Sequence, residues 1–179
     1  MKPRIIYIHG NQTTHWSFGW SPWLKKELDK KGYKTFFETF PDSIIARAKY
    51  WLPFLKLHVK AGANDVIVGW SSGAVAALRY AETNKIRGSI LIAPSHTDLN
   101  DELERQSGYF KKPWNWQKIK ANQSHIALVY SENDPYIPQK QFQFIAEKLK
   151  PTIIKVPKAK HFIERNTFPE VLEYILQTY

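Results

Sequence analysis

The chain contains no cysteine. Disulfides, thiol nucleophiles and thiolate metal ligands are therefore excluded. It also lacks any apolar run approaching the roughly 20 residues that a membrane-spanning helix needs. No signal peptide is visible, because Met1-Lys2-Pro3-Arg4 leads straight into a strand-like apolar run. Membrane insertion is not expected, and the cytoplasm is the expected location. Internal repeats, low-complexity tracts and linkers are missing as well. The 179 residues are thus expected to form one domain, 1–179, with a substantial core. Acidic residues are in deficit, 16 against 26 basic ones, for a net charge of +10. The imbalance sits mainly in residues 1–60, which hold 11 basic and 4 acidic side chains. A basic stretch of this kind can form a patch for nucleic acid or another anionic surface. A solvated face is the simpler account, since Lys25, Lys26, Lys30 and Lys31 fall on an expected surface helix.

What is present is apolar and aromatic. Hydrophobic residues make up 43% and aromatics 15%, enough buried surface to exclude disorder. Short apolar runs recur along the chain. Arg4–His9, Tyr33–Phe40, Asp65–Trp70, Gly88–Ala93, Ser124–Tyr130 and Thr152–Val156 read as six strands. A loop is expected from Asn11 to Gly19, then a helix with Ser21 as N-cap, Pro22 in its first turn and Gly32 past its end. A second helix is expected from Asp42 or Ser43 to about Val59, broken or kinked by Pro53 near Trp51. Ser72–Thr83, Pro138–Leu149 and Pro169–Gln177 complete the helices. Residues 94–122 look irregular, with one short helix near Leu99–Gln106; so long an irregular stretch is uncommon and often functional. Mostly continuous apolar strands alternating with helices predict a three-layer α/β/α sandwich, with about six strands in a mostly parallel sheet.

Gly69-Trp70-Ser71-Ser72-Gly73 fits the pattern G-x-S-x-G. The pattern alone is weak, but here an apolar strand precedes it and an alanine-rich helix follows. That is the context of a nucleophile elbow. A sharp turn presents the serine hydroxyl at the carboxyl edge of the sheet, and the glycines let strand and helix approach. The helix N-terminus offers N–H groups where an oxyanion forms. The plain alternative is a tight turn with Ser71 as helix N-cap. The flanking elements favour Ser71 as nucleophile.

A serine hydroxyl needs a base. After an elbow, the remaining partners follow in the order carboxylate, then histidine. Asp134 lies just past the fifth strand and is held by Pro135; Glu132 competes with it in the same loop. Asp-Pro is also common in turns. Asp134 is the preferred carboxylate. Among the six histidines, His161 follows the last strand and precedes the last helix. From there it can reach Ser71 as base and then acid.

These three segments, with Ile8-His9-Gly10 at the end of the first strand, resemble the α/β-hydrolase superfamily. Within it, the chain is similar to the small single-domain branch of retinoblastoma-binding protein 9 and the bacterial YdeN-type hydrolases. The features that carry this are His15-Trp16, Pro22-Trp23-Leu24, Trp51-Leu52-Pro53, the Ser71-Ser72-Gly73 elbow, Asn133-Asp134-Pro135 and the late His161. The resemblance spans essentially the whole chain. It implies a catalytic triad of Ser71, Asp134 and His161. It also implies an oxyanion hole from the backbone N–H of Ser72 and of Asn11, or of Gln12. The chain has no room for a separate cap domain and starts at what is usually a later strand. A minimal, fairly open active site is therefore expected, acting on a small-molecule or peptide acyl substrate, with esterase-like or peptidase-like chemistry.

Several aromatics fall in loops at the same sheet edge: Trp16, Trp20, Trp70, Tyr109, Phe110, Trp114, Trp116, Tyr136 and Phe162. Most should be core. Trp70 and Tyr136, beside the triad in sequence, are the expected pocket residues. His9 and His15 are close together, but ligand number and spacing fall short of a zinc pattern, so neither metal nor cofactor is expected. A second reading is a non-catalytic binding protein on a hydrolase fold, using the basic N-terminal third and aromatic loops. The order of triad residues argues against it, and a nucleic-acid partner is not expected.

Overall fold

The computed structural model describes residues 1–12 and 15–179; Thr13 and Thr14, within the expected loop Asn11–Gly19, lie outside the described residues. Six strands form one sheet: β1 (Arg4–Ile8), β2 (Lys34–Phe37), β3 (Asp65–Trp70), β4 (Gly88–Ile92), β5 (His125–Tyr130) and β6 (Thr152–Lys155). Their order is β2-β1-β3-β4-β5-β6, and every neighbouring pair is parallel. A parallel strand in the middle of such a sheet is covered on both faces, which is why it carries no polar alternation. β3 and β4 are buried at every residue.

The helices are α1 (Ser21–Lys30), α2 (Ala48–Pro53), α3 (Ser72–Ala81), α4 (Glu102–Ser107), α5 (Trp116–Ala121), α6 (Gln139–Leu149) and α7 (Pro169–Thr178). α1 packs on α7, whereas α3 packs on α2 and α5, and α5 on α6. These two groups are the outer layers of the α/β/α sandwich. This is an α/β-hydrolase-like fold, and the described residues include no cap domain. No helix among them is long and apolar enough to cross a membrane.

Several boundaries differ from the sequence expectations, each for a local reason. Ser21 is not the N-cap of α1: Trp20 holds that position, and the Ser21 hydroxyl turns back to the carbonyl oxygens of Trp16 and Phe18. β2 stops at Phe37 because the next residues leave the ladder, and the Phe40 N–H donates to His9 Nε2 at 2.9 Å. The second helix begins later than Asp42 or Ser43. The Asp42 carboxylate accepts the Arg47 N–H and pairs with its guanidinium, so α2 starts only after Arg47. Pro53 does not break the helix outright. Lacking an N–H, it marks the change from α2 to a π-helical turn at Phe54–His58.

Residues 94–122 hold two short helices rather than one, and the segment is firmly anchored. Arg79, on the wholly buried α3, donates to the carbonyl oxygens of Tyr109, Lys112 and Pro113. Its guanidinium lies 3.6 Å from the centre of the Trp114 ring and pairs with Glu82 at 2.8 Å. A buried cation satisfied by three carbonyls and a carboxylate stitches this stretch to the helix behind the elbow.

Candidate active site

A doubly wound sheet opens a crevice where neighbouring strands send their connections to opposite sides, beyond the carboxyl ends of those strands. In this chain the order reverses between β1 and β3. The loop after β1 and the turn after β3 therefore face each other across that crevice. A cavity of about 500 Å³ occupies it. Asn11, Gln12, Trp70, Ser71, Tyr136 and His161 all line it.

Ser71 sits at the junction of β3 and α3 with φ 55° and ψ −120°, a conformation that costs a side-chain-bearing residue about 1–3 kcal/mol. Its side chain makes no cap bond to the helix. That observation goes against the plain turn-and-cap reading and leaves the hydroxyl at the cavity. The flanking glycines are required by contact. A Cβ on Gly69 would lie 2.5 Å from the Gly73 carbonyl oxygen. One on Gly73 would lie 2.6 Å from the His9 carbonyl oxygen and nearer still to that of Ile8. Helix and strand touch through bare backbone, which sets Ser72 opposite the end of β1.

Asp134 and His161 meet directly. Asp134 Oδ2 is 2.8 Å from His161 Nδ1, and both side chains are almost completely buried. Asp134 Oδ1 accepts the N–H groups of Tyr136 and Ile137 at 2.9 and 3.0 Å, which fixes the carboxylate in a turn of its own making. Glu132, the competing candidate, instead pairs with Lys155 at 2.5 Å on the surface.

The two loops that carry this pair are clasped to each other. Ser131 Oγ donates to Asn133 Oδ1 and accepts from the Ala159 N–H. Asn133 Oδ1 also accepts the Lys160 N–H at 2.9 Å. Trp70, from the elbow itself, donates its indole N–H to the His161 carbonyl at 3.1 Å. Three separate chain segments are thus held in one geometry around His161.

Of the aromatics considered from sequence, Trp20, Tyr109 and Phe162 are core. Trp70 and Tyr136 line the cavity, the former buried and the latter 61% exposed. The Tyr136 ring meets the His161 ring edge-on at 5.2 Å.

His9 spends both ring nitrogens on the backbone. Nδ1 lies 2.6 Å from the Gly10 carbonyl, and Nε2 accepts from Phe40. Nδ1 must then carry the proton, so the ring is held neutral and pins the start of the loop that bears Asn11. Burial pushes its pKa down, as it does for His96. The consequence has a definite sign. Below about pH 6.5 the unfolded chain protonates these groups while the folded chain resists, so the unfolded state binds more protons. The contribution of these two histidines should therefore lower the melting temperature as pH drops from about 7 to about 5. A His9→Asn variant should show a shallower slope over that range, and an unchanged slope would remove His9 from the account.

Sequence reasoning missed Glu104. It lines the same cavity from α4 and accepts hydrogen bonds from the Asn11 side chain at 3.0 Å and the Ser72 hydroxyl at 3.4 Å. A signal existed: Asp101 and Glu104 have capping-box spacing, and Asp101 does cap α4 by accepting the Glu104 N–H. The spacing shows a helix start; it does not show that the carboxyl group turns toward the elbow.

Residues 5–176 match the family described as serine hydrolase. The chain is 40% identical to the serine hydrolase RBBP9 of Rattus norvegicus, over 93% of this chain and 88% of that one. It is 26% identical to YdeN of Bacillus subtilis (strain 168), over 94% of this chain and 90% of that one. The crystal structure of the ydeN gene product from B. subtilis superposes with a TM-score of 0.89 at 25% identity, covering 99% of this chain and 98% of that chain.

Proposed function

The chain belongs to the serine hydrolase family, and from that premise we propose that it cleaves a carboxylic ester or amide through an acyl-serine intermediate on Ser71. Family membership makes it an enzyme and sets aside the reading of a non-catalytic binding module. The observation that carries the proposal is the buried Asp134–His161 hydrogen bond of 2.8 Å at a cavity that Ser71 also lines.

In this reading, Asp134 accepts a hydrogen bond from His161 Nδ1–H, which keeps the proton on Nδ1 and leaves Nε2 free to take the proton of Ser71. Ser71 Oγ attacks the acyl carbon, and the carbonyl oxygen becomes an oxyanion between the backbone N–H groups of Asn11 and Ser72. His161 returns the proton to the leaving group. Water then repeats the cycle on the acyl-enzyme. Trp70 and Tyr136, with Phe18, Leu99, Ile137 and Ile163, line the apolar part of the pocket, suited to a small-molecule or peptide acyl group. The whole chain, 1–179, acts as one domain in the cytoplasm, needing neither metal nor cofactor for this cycle.

A fluorophosphonate probe tests the proposal. It should modify the native protein at one site, and peptide mass mapping should place the adduct on Ser71. No adduct, or an adduct on another serine, overturns the assignment.

A further inference from the structure

Glu104 is a half-buried titratable group at the cavity that the proposed cycle does not use. One carboxylate oxygen, Oε1, accepts from Asn11 Nδ2 at 3.0 Å and from Ser72 Oγ at 3.4 Å. The other, Oε2, is buried and has no hydrogen-bond partner among the described residues. Burial, with Asp101 and Asp98 nearby, pushes the Glu104 pKa up; the bonds from Ser72 and Asn11 oppose this. The buried hydroxyl of Tyr109 also feels the Glu104 charge. Leaving a carboxyl oxygen this poorly solvated is expensive.

The two donors on Oε1 belong to the residues whose backbone N–H groups are assigned to the oxyanion. They come from opposite sides of the crevice. Asn11 follows β1, and Ser72 opens α3. The β1–β3 ladder ends at the pair Ile8 and Gly69, so both residues lie beyond the reach of its register. A single acceptor that meets both side chains spans the gap between the loop and the elbow where the ladder does not.

We propose that Glu104 is a positioning residue that sets the separation of the two oxyanion-hole donors by bridging the side chains of Asn11 and Ser72. The inference rests on the assignment of Ser71 and the oxyanion hole above. A shared acceptor needs only a carbonyl-type oxygen at the Oε1 position, not a charge. Glutamine supplies that oxygen, while alanine removes it. An oxyanion donor acts in the transition state, so its displacement should appear in kcat rather than KM.

The test is steady-state kinetics on a p-nitrophenyl ester with the full chain. Glu104→Ala should lower kcat by about tenfold or more, with KM within about threefold of the wild type, because a misplacement near 1 Å can cost on the order of 100-fold. Glu104→Gln should stay within about threefold of wild-type kcat. Asn11→Ala removes the other end of the bridge; it should lower kcat about as much as Glu104→Ala, and the double variant should fall no further. Where Glu104→Ala folds poorly, as judged by its melting temperature, Asn11→Ala alone carries the test, and an unchanged kcat there overturns the proposal.

An unchanged kcat in Glu104→Ala overturns the proposal, as does a loss confined to KM, an equal loss in Glu104→Gln, or additive losses in the double variant. Fluorophosphonate labelling separates the two levels. Absence of the Ser71 adduct in the wild type removes the parent reading and this inference together. A normal wild-type adduct with an unaffected Glu104→Ala rate removes this inference alone.

Discussion

Asp134→Asn should leave the protein folded and lower kcat on a reactive ester by on the order of 10⁴-fold. The hydrogen-bond inventory at Asp134 explains both halves of that expectation. Oδ1 accepts two backbone N–H groups, from Tyr136 and Ile137, and an amide oxygen can accept both unchanged. The loop therefore keeps its turn. The amide nitrogen is then forced into the place of Oδ2, 2.8 Å from His161 Nδ1. Two donors cannot face each other, so the imidazole must turn its unprotonated nitrogen to the new amide and carry its proton on Nε2. A ring in that tautomer cannot take a proton from Ser71. Ser71→Ala and His161→Ala should cost still more, on the order of 10⁶-fold, and the double variant should be no slower than either single one, because the members act as a unit. A rate drop of tenfold or less in Asp134→Asn, or additive losses when Ser71 and His161 are replaced together, would count against the triad.

The same residues show how far the sequence can be read. Strands β3 and β4 are legible because a parallel strand in mid-sheet needs apolar side chains on both faces, and continuous runs such as Asp65–Trp70 have few other uses. The elbow is legible for a related reason. Its two glycines answer to backbone contacts within a few residues and to β1, so the demand is written locally. Asp134 and His161 can be picked out by their place after strand ends, but their 2.8 Å contact depends on the clasp of Ser131 and Asn133 onto residues 159 and 160. Nothing local in Ser131 or Asn133 announces that partner 27 or 28 residues away. Residues 94–122 read as irregular because what orders them is remote: Arg79 on α3 satisfies their carbonyl oxygens. The ends of α1 and α2 depart from expectation because Ser21 and Asp42 are both plausible caps, and other partners claim their side chains instead. Glu104 stays hidden for the same reason, since the Asn11 side chain it meets is 93 residues away.

Gly73→Ala should be among the most destabilising single methyl additions in the protein. The new Cβ would sit 2.6 Å from the His9 carbonyl oxygen and closer still to that of Ile8. Neither neighbour is a side chain that can swing away. Ile8 ends β1, which is hydrogen-bonded on both sides, to β2 and to β3, and its side chain is fully buried. Relief requires α3 to lift from the sheet, and α3 is buried along its whole length. Over-packing commonly costs about 1–3 kcal/mol, and a clash against fixed backbone belongs at or above the top of that range. A loss of about 3 kcal/mol corresponds to a melting temperature lower by roughly 6–12 °C for a domain of this size. Activity should fall with it, because lifting the helix draws the Ser72 N–H away from the loop that carries Asn11. Gly62→Ala provides the control: its Cβ would meet nothing within 4 Å, and its melting temperature should stay close to that of the wild type. If Gly73→Ala melts with the wild type, strand and helix are farther apart than these contacts require, and the close approach that builds the elbow is not what holds Ser71 in its strained conformation.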